Sequence, residues 1–146
     1  MVRIFFLAEI LTDFDFGQSN MATYHCGNCR KCIDACPTSA IIDDKIIDSN
    51  KCISYLTIEH KGKIDKELKL KMDNLIFGCD ICQQVCPWNK KIELTQEQDF
   101  NFRYDKINIK DILNLTEIEF NKLFEGSPIR RAGYSHFINQ VKRVNK

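Results

Sequence analysis

The sequence predicts an α+β fold of short elements, and three observations carry that prediction. Two cysteine runs share one spacing: Cys26, Cys29, Cys32, Cys36, Pro37 reads C-x2-C-x2-C-x3-C-P, and Cys79, Cys82, Cys86, Pro87 repeats its second half. The segments around them are too short and too interrupted by Gly, Pro and Asp for long helices or a large sheet. The last third instead carries consecutive helix-start signals. The expected layout is a remnant of an upstream unit over residues 1–20, a thiol-rich unit over 21–92, and a linker with a helical region over 93–146.

Taken in order, Phe5 to Thr12 is rich in aromatic and branched residues and predicts a strand, although Phe6, Ile10 and Phe14 would also share a helix face. Ile4 to Phe16 reads as the end of a buried element whose partners lie upstream, so the chain is expected to be a piece of a longer protein. Gly17 to Asn20 predicts a turn. The thiols from Cys26 to Cys32 come too fast for a regular element and predict a loop, with a short helix over 31–35 stopped by Pro37. Ala40–Ile42 and Lys45–Ile47 around Asp43 and Asp44 predict a small hairpin leading to Cys52.

Between Cys52 and Cys79 lie 26 residues. Two short helices are expected there, over 53–60 before Gly62 and over 66–72 with Asp65 as cap. Leu56, Leu68, Leu75, Ile76 and Phe77 are candidates both for core and for a roof that keeps water from the thiols. Lys90 to Asn108 reads as a surface linker. Thr116 and Glu119 form a T-x-x-E capping box that opens a helix with Phe120, Leu123 and Phe124 on its apolar side and Gly126 past its end. Ser127 and Pro128 open another.

The chain has 146 residues, 44% of them hydrophobic, and a formal net charge of +1, so no global charge excess argues for a polyanionic or acidic partner. The apolar run Ile4–Ala8 is too short for a signal peptide core or a membrane span, which needs about 20 apolar residues. A cytosolic protein is expected, and in a reducing compartment thiols hold metal more readily than they pair.

Eight cysteines suit two 4Fe-4S clusters. Each iron of a cubic cluster needs one outside ligand, and thiolate is soft enough to hold it. In two-cluster proteins with this run the fourth cysteine ligates the other cluster. The expected sets are therefore Cys26, Cys29, Cys32 with Cys86, and Cys52, Cys79, Cys82 with Cys36. Cys32 and Cys36 are separated by about 6 Å of helical rise, which brings the clusters close. Gly27 and Gly78 beside ligands allow close backbone approach. Zinc would use two separated C-x2-C pairs and has no need of the third thiol or the proline. His25, His60 and His136 fall in no catalytic arrangement. By itself the cysteine text supports one-electron transfer.

The fuller text HCGNCRKCIDACPTSAI, KCISYLTIEHKG, IFGCDICQQVCPWN and LFEGSPIRRAGY, in that order, resembles the C-terminal part of the epoxyqueuosine reductase family from about Phe5 to Phe137. The resemblance implies reduction of epoxyqueuosine to queuosine at the wobble position of a tRNA anticodon, with two 4Fe-4S clusters relaying electrons singly to cobalamin. It implies a preceding cobalamin domain, which carries the family's proton donor and survives here only as FFLAEILTD; the catalytic acid is therefore unassigned, and the chain alone is expected to be inactive. Val2, Arg3, Ile4 and Ala8 depart from the family's usual text at that remnant, as does the ending FINQVKRVNK.

By the same resemblance Asp13 and Ser54 fall near cobalamin, with helix or strand capping as their plain alternative. Arg130 and Arg131 are candidates for tRNA contact. With Lys142, Arg143 and Lys146 they make five cations in a stretch that has no Asp or Glu after Glu125. The implied partners are tRNA and an electron donor such as flavodoxin or ferredoxin, with a monomer and no membrane expected. The competing readings are a free-standing ferredoxin-type carrier, a tRNA-binding module whose metal is structural, and a relative of the reductive dehalogenases, which CISYLTIE and GSPIRRAGY disfavour.

Overall fold

A computed structural model describes residues 8–21, 23, 26–43, 46–90, 95–101, 104 and 107–145. The repeated cysteine text folds the same way twice. Helix α1 spans Lys31–Asp34 and α4 spans Ile81–Gln84. The residue before each helix, Arg30 or Asp80, has φ −115°, and the residue after, Ala35 or Val85, has φ −83° or −81°. In each copy the last cysteine closes the turn: Cys36 N–H donates to Ile33 O and Cys86 N–H to Gln83 O, both at 3.3 Å. Proline follows and cannot continue the helix. The two one-turn helices pack on each other.

After α1 comes a hairpin of β1 (Ile41–Asp43) and β2 (Ile46–Ile47), antiparallel with Ile41 opposite Ile47 and an irregularity before Asp43. Asp44 and Lys45 of the expected hairpin lie outside the described residues. A 3-10 turn at Ser49–Lys51, started by Asp48 accepting from Asn50 N–H at 3.1 Å, delivers Cys52 to the start of α2 (Ile53–Ile58). Helix α3 (Lys66–Lys71) opens on Asp65, which accepts from Glu67 N–H at 2.8 Å. Between them Ile53, Leu56, Ile64 and Met72 form one core cluster, on which Leu68, Leu75 and Cys79 pack. Of the apolar residues considered both for core and for a roof, Leu56, Leu68 and Leu75 belong to this cluster, with a thiol against its edge.

The tail builds a second core. Helix α5 (Ile109–Leu113) and α6 (Glu117–Leu123) each start with a reciprocal capping box, Asn108 with Asp111 and Thr116 with Glu119. Helix α7 (Ile129–Ala132) follows Ser127, whose Oγ accepts from Ile129 N–H at 3.3 Å. Gly133, at φ +80°, breaks the path, and α8 (Tyr134–Val144) runs on from it. The second helix expected after Gly126 is therefore two, because a left-handed residue cannot sit inside a continuous α-helix. Phe120, Phe124, Ala132, Phe137 and Val141 are buried together, and Ile76 and Phe77 pack on them from the thiol-rich part.

Two expectations fail. Phe5–Leu7 lie outside the described residues, but Ala8–Thr12 form no strand, and Ile10 and Leu11 are 90% and 97% exposed. A strand needs a partner for its N–H and C=O groups, and among the described residues β1 and β2 pair with one another. No turn forms over Gly17–Asn20: the bend lies at Asp13, and Asp15 Oδ1 accepts from Gly17 N–H at 2.7 Å, with Gly17 at φ +69°.

His136 ties α8 to α2, its Nε2 donating to Leu56 O at 3.1 Å. Burial pushes its pKa down, the bond to Leu56 opposes that, and the Lys61 charge adds to the lowering. A depressed pKa means the fold holds the neutral ring better than the unfolded chain does. Its contribution is full above the unfolded value of about 6.5 and is lost as pH falls through the folded value. Urea unfolding from pH 8 to 5.5 should therefore show stability declining on the acid side, and His136→Gln should flatten that decline.

Candidate metal centre

Cys26 and Cys29 sit on the turn before α1, where Cys29 N–H donates to Cys26 O at 3.0 Å, and Cys32 lies on α1 itself. Cys36 follows α1, Cys52 opens α2, Cys82 lies on α4 and Cys86 follows it. Cys29 is exposed and the other seven are half-buried; none is paired in a disulfide. Gly27 and Gly78 take φ +53° and +74°.

The sulfur of Cys36 sits in a small cradle. Ala40 N–H donates to Sγ at 3.3 Å, and Thr38 Oγ lies 3.7 Å away. Thr38 and Ala40 are both buried. Burial raises the Cys36 pKa, but hydrogen bonds from the Ala40, Thr38 and Ile41 region outweigh it and hold the thiol below its ordinary value. The same donors that favour a free thiolate would favour a sulfur bound to iron.

Cys79 and Cys82 go the other way. Burial pushes both up, and neighbouring thiols add to the rise: Cys52 and Cys36 act on Cys79, and Cys79 and Cys52 act on Cys82. The packing of α1 on α4 sets the stretch that ends in Cys36 against the helix that carries Cys82, and Cys79 packs on the cluster that includes Ile53, the residue after Cys52. Thiols are a soft donor set suited to the irons of a cubic cluster. Among the described residues, no three His, Cys, Asp or Glu side chains converge on a single ion.

Two positioning residues carry no signal in the cysteine spacing. Thr57, fully buried, donates to Ile53 O at 2.8 Å and accepts from Gly78 N–H at 3.0 Å, so it fastens α2, which begins at Cys52, to the residue before Cys79. Asn89 in the PWN text donates to Gln83 O at 2.8 Å and to Gln83 Oε1 at 3.1 Å, clamping the end of α4 beside Cys86. Thr57→Val should keep the shape but strand the Gly78 N–H, at about 1–3 kcal/mol. Thermal unfolding of the iron-loaded protein checks it, with faster iron loss to a chelator as the companion readout.

Asp13 is exposed on the irregular stretch and Ser54 is half-buried on the first turn of α2. Arg130 and Arg131 are exposed on α7, with Arg131 paired to Glu59 at the end of α2. The expected patch of five cations is divided. Lys146 lies outside the described residues, and Arg143 is engaged by backbone carbonyls, donating to Asp73 O at 2.6 Å and Leu75 O at 2.5 Å. Helix α8, about 16 Å long, separates Arg143 from the α7 pair.

Residues 25–89 match the family described as the 4Fe-4S double cluster binding domain. The epoxyqueuosine reductase of Xanthomonas campestris pv. campestris is 45% identical over 139 residues, which are 94% of this chain and 39% of that protein. The solved epoxyqueuosine reductase of Bacillus subtilis superposes with TM-score 0.81 at 30% identity, covering 88% of this chain and 35% of that one. The chain is homologous to the epoxyqueuosine reductases. A further epoxyqueuosine reductase structure, also at TM-score 0.81 and 30% identity, contains a tRNA-Tyr stem loop with the epoxyqueuosine modification. The chain spans well under half the length of these reductases, 39% of the Xanthomonas protein and 35% of the Bacillus one. The reductase-like stretches CISYLTIE and GSPIRRAGY meet in space: Glu59 of the first pairs with Arg131 of the second, and Lys61 Nζ donates to Ala132 O at 3.0 Å. No helix among the described residues is long and apolar enough to cross a membrane.

Proposed function

We propose that this chain is the electron-relay part of an epoxyqueuosine reductase, acting in the reduction of epoxyqueuosine to queuosine in tRNA. The observation that carries the reading is the packing of α1 on α4, which sets the first cysteine run against the second, with Cys79 seated on the core that α2 builds after Cys52. In this reading Cys36 and Cys86 each cross to the other run's cluster, Cys26, Cys29 and Cys32 complete the first set, and α1 against α4 keeps the two sets adjacent. When bound, the clusters supply one-electron transfer at low potential. The chain's own residues hold and tune them: Ala40 and Thr38 donate toward the Cys36 sulfur, Thr57 fixes Cys79 relative to Cys52, and the core of α2 and α3 keeps water from one side.

Cobalamin belongs to the reading through Asp13 and Ser54, but these two groups supply too little to enclose a corrin. Arg130 and Arg131, exposed beside the Glu59 pair, are the proposed tRNA contacts on α7. A flavodoxin or ferredoxin is the proposed donor, to a monomer in the cytoplasm.

The test is a chimera in which this chain replaces the matching segment of the Xanthomonas protein, expressed in cells lacking epoxyqueuosine reductase. Queuosine in the tRNA supports the proposal. Accumulated epoxyqueuosine, in a chimera that still holds about eight irons, overturns it in favour of a free-standing electron carrier. Colourless protein with two zincs would overturn the iron–sulfur assignment itself.

A further inference from the structure

The two cysteine runs fold alike up to their prolines and then diverge. Cys36-Pro37-Thr38-Ser39-Ala40 and Cys86-Pro87-Trp88-Asn89-Lys90 hold equivalent places. Both begin with the same turn, Ser39 N–H donating to Cys36 O at 3.1 Å and Asn89 N–H to Cys86 O at 3.0 Å. After Cys86 the backbone runs on through a 3-10 turn, Pro87–Asn89, into Lys90 at φ −67°. After Cys36 it reverses at Ser39, whose φ of +51° is a left-handed value that a residue with a β-carbon rarely adopts. Beyond that reversal Ala40 N–H donates to Cys36 Sγ at 3.3 Å. Backbone strain of this kind collects where function needs it, and here it accompanies a donor aimed at a proposed iron ligand.

Thr38 supplies the second donor. It is buried, and among the described residues its hydroxyl has one hydrogen-bond partner, the Cys36 sulfur at 3.7 Å. In the free thiol either atom can donate, but a sulfur bound to iron carries no hydrogen, so the hydroxyl must then be the donor. The residue in the equivalent place after Cys86 is Trp88, which has no hydroxyl, and among the described residues no N–H or O–H donates to the Cys86 sulfur. One-electron reduction of a cluster adds negative charge that spreads onto its ligand sulfurs, so a donor aimed at a sulfur favours the reduced state and raises the potential. Burial works the other way, as it does in pushing the Cys79 and Cys82 thiols up. The set proposed for Cys36 therefore contains opposing effects, of which the cradle is the one that favours the electron.

We infer that Thr38 is a positioning residue for the electron relay: beside the Ala40 N–H, its hydroxyl donates to the Cys36 sulfur and raises the reduction potential of one cluster alone, easing the passage of an electron onto it. The inference rests on the ligand sets of the proposed function for which cluster is tuned, but the tuning itself stands on the buried hydroxyl and its single partner.

The test is a redox titration of the iron-loaded chain followed by electron paramagnetic resonance, with Thr38→Val, Thr38→Ala and Thr38→Ser. Thr38→Val should move one midpoint potential down by about 59 mV, a tenfold loss in the reduction equilibrium of a one-electron couple, and leave the other in place. Its iron content should stay at about eight. Thr38→Ala removes the same hydroxyl with a different shape and should match it, whereas Thr38→Ser restores the hydroxyl and should titrate like the unchanged protein. Unshifted potentials in Thr38→Val and Thr38→Ala would overturn the inference, and so would equal shifts of both clusters. A shift in Thr38→Ser as large as in Thr38→Val would also overturn it, because packing would then be responsible. Repeating the titration with one cluster removed separates this result from the proposed function. The shift should persist with Cys26→Ala, where the cluster assigned to Cys36 remains, and vanish with Cys52→Ala. A shift seen only with Cys52→Ala would strike the proposed crossing of ligands and uphold the tuning by Thr38, whereas no shift in either background would strike Thr38 alone.

Discussion

Cys36→Ala should leave the protein with one cluster, about four irons in place of about eight. The reason is the proposed crossing of ligands. Cys36 stands at the end of the first cysteine run, yet α1 before it packs on α4, which carries Cys82, and its charge acts on Cys79. If it serves their cluster, removing it should be equivalent to removing Cys52, and the double variant Cys36→Ala with Cys52→Ala should lose nothing more. Pairing Cys36→Ala with Cys26→Ala should instead strip both clusters. A run that kept its ligands to itself reverses the pattern: Cys36→Ala and Cys26→Ala would then hit the same cluster, and their double variant would retain about four irons. Iron and acid-labile sulfide analysis after anaerobic reconstitution distinguishes the two. Electron paramagnetic resonance of the dithionite-reduced protein adds a second readout, since spin coupling between neighbouring clusters vanishes when either is gone.

The parts of the fold legible in the sequence are those set by local chemistry. The thiol spacing and its trailing proline anticipate α1, and the same text repeated at Cys79–Pro87 would have located α4, where no helix was expected. Asp65, Thr116 and Glu119 mark helix starts because capping is a contact between residues two or three apart. The same rule would have found α5, since Asn108 and Asp111 make the equivalent box in a stretch that reads as linker. What stayed hidden depends on distant partners. Nothing local says that Arg143 will be consumed by carbonyls about 70 residues away, or that Arg131 will meet Glu59. Thr57 reads as an ordinary helical threonine until Gly78 is placed beside it. The N-terminal stretch misled for the same reason: its branched and aromatic residues favour a strand, but strand formation is decided by a partner edge.

Phe120→Ala should be the most damaging change in the tail, costing about 3–5 kcal/mol. Phe120 is 1% exposed and its ring lies 5.0 Å from that of Phe124, 5.6 Å from Phe137 and 5.7 Å from Tyr134, so α6 and α8 meet through it. Its removal leaves a cavity that the capped start of α6 prevents from collapsing freely. Set against a whole-domain stability of about 5–15 kcal/mol, that loss should lower the melting temperature by on the order of 10 °C. Ile118, two residues away on the same helix but 81% exposed, should tolerate alanine within about 0.5 kcal/mol. The informative comparison is with the metal. Phe120 belongs to the tail core, whereas Cys79 packs on the separate core of α2 and α3, so the folded Phe120→Ala protein should still bind about eight irons. Phe77 bridges the two regions through its contact with Phe137, two residues before Cys79. If Phe120→Ala protein loses iron in step with tail unfolding, that bridge couples the cores into one cooperative unit; if iron outlasts the tail, the cluster part stands on its own.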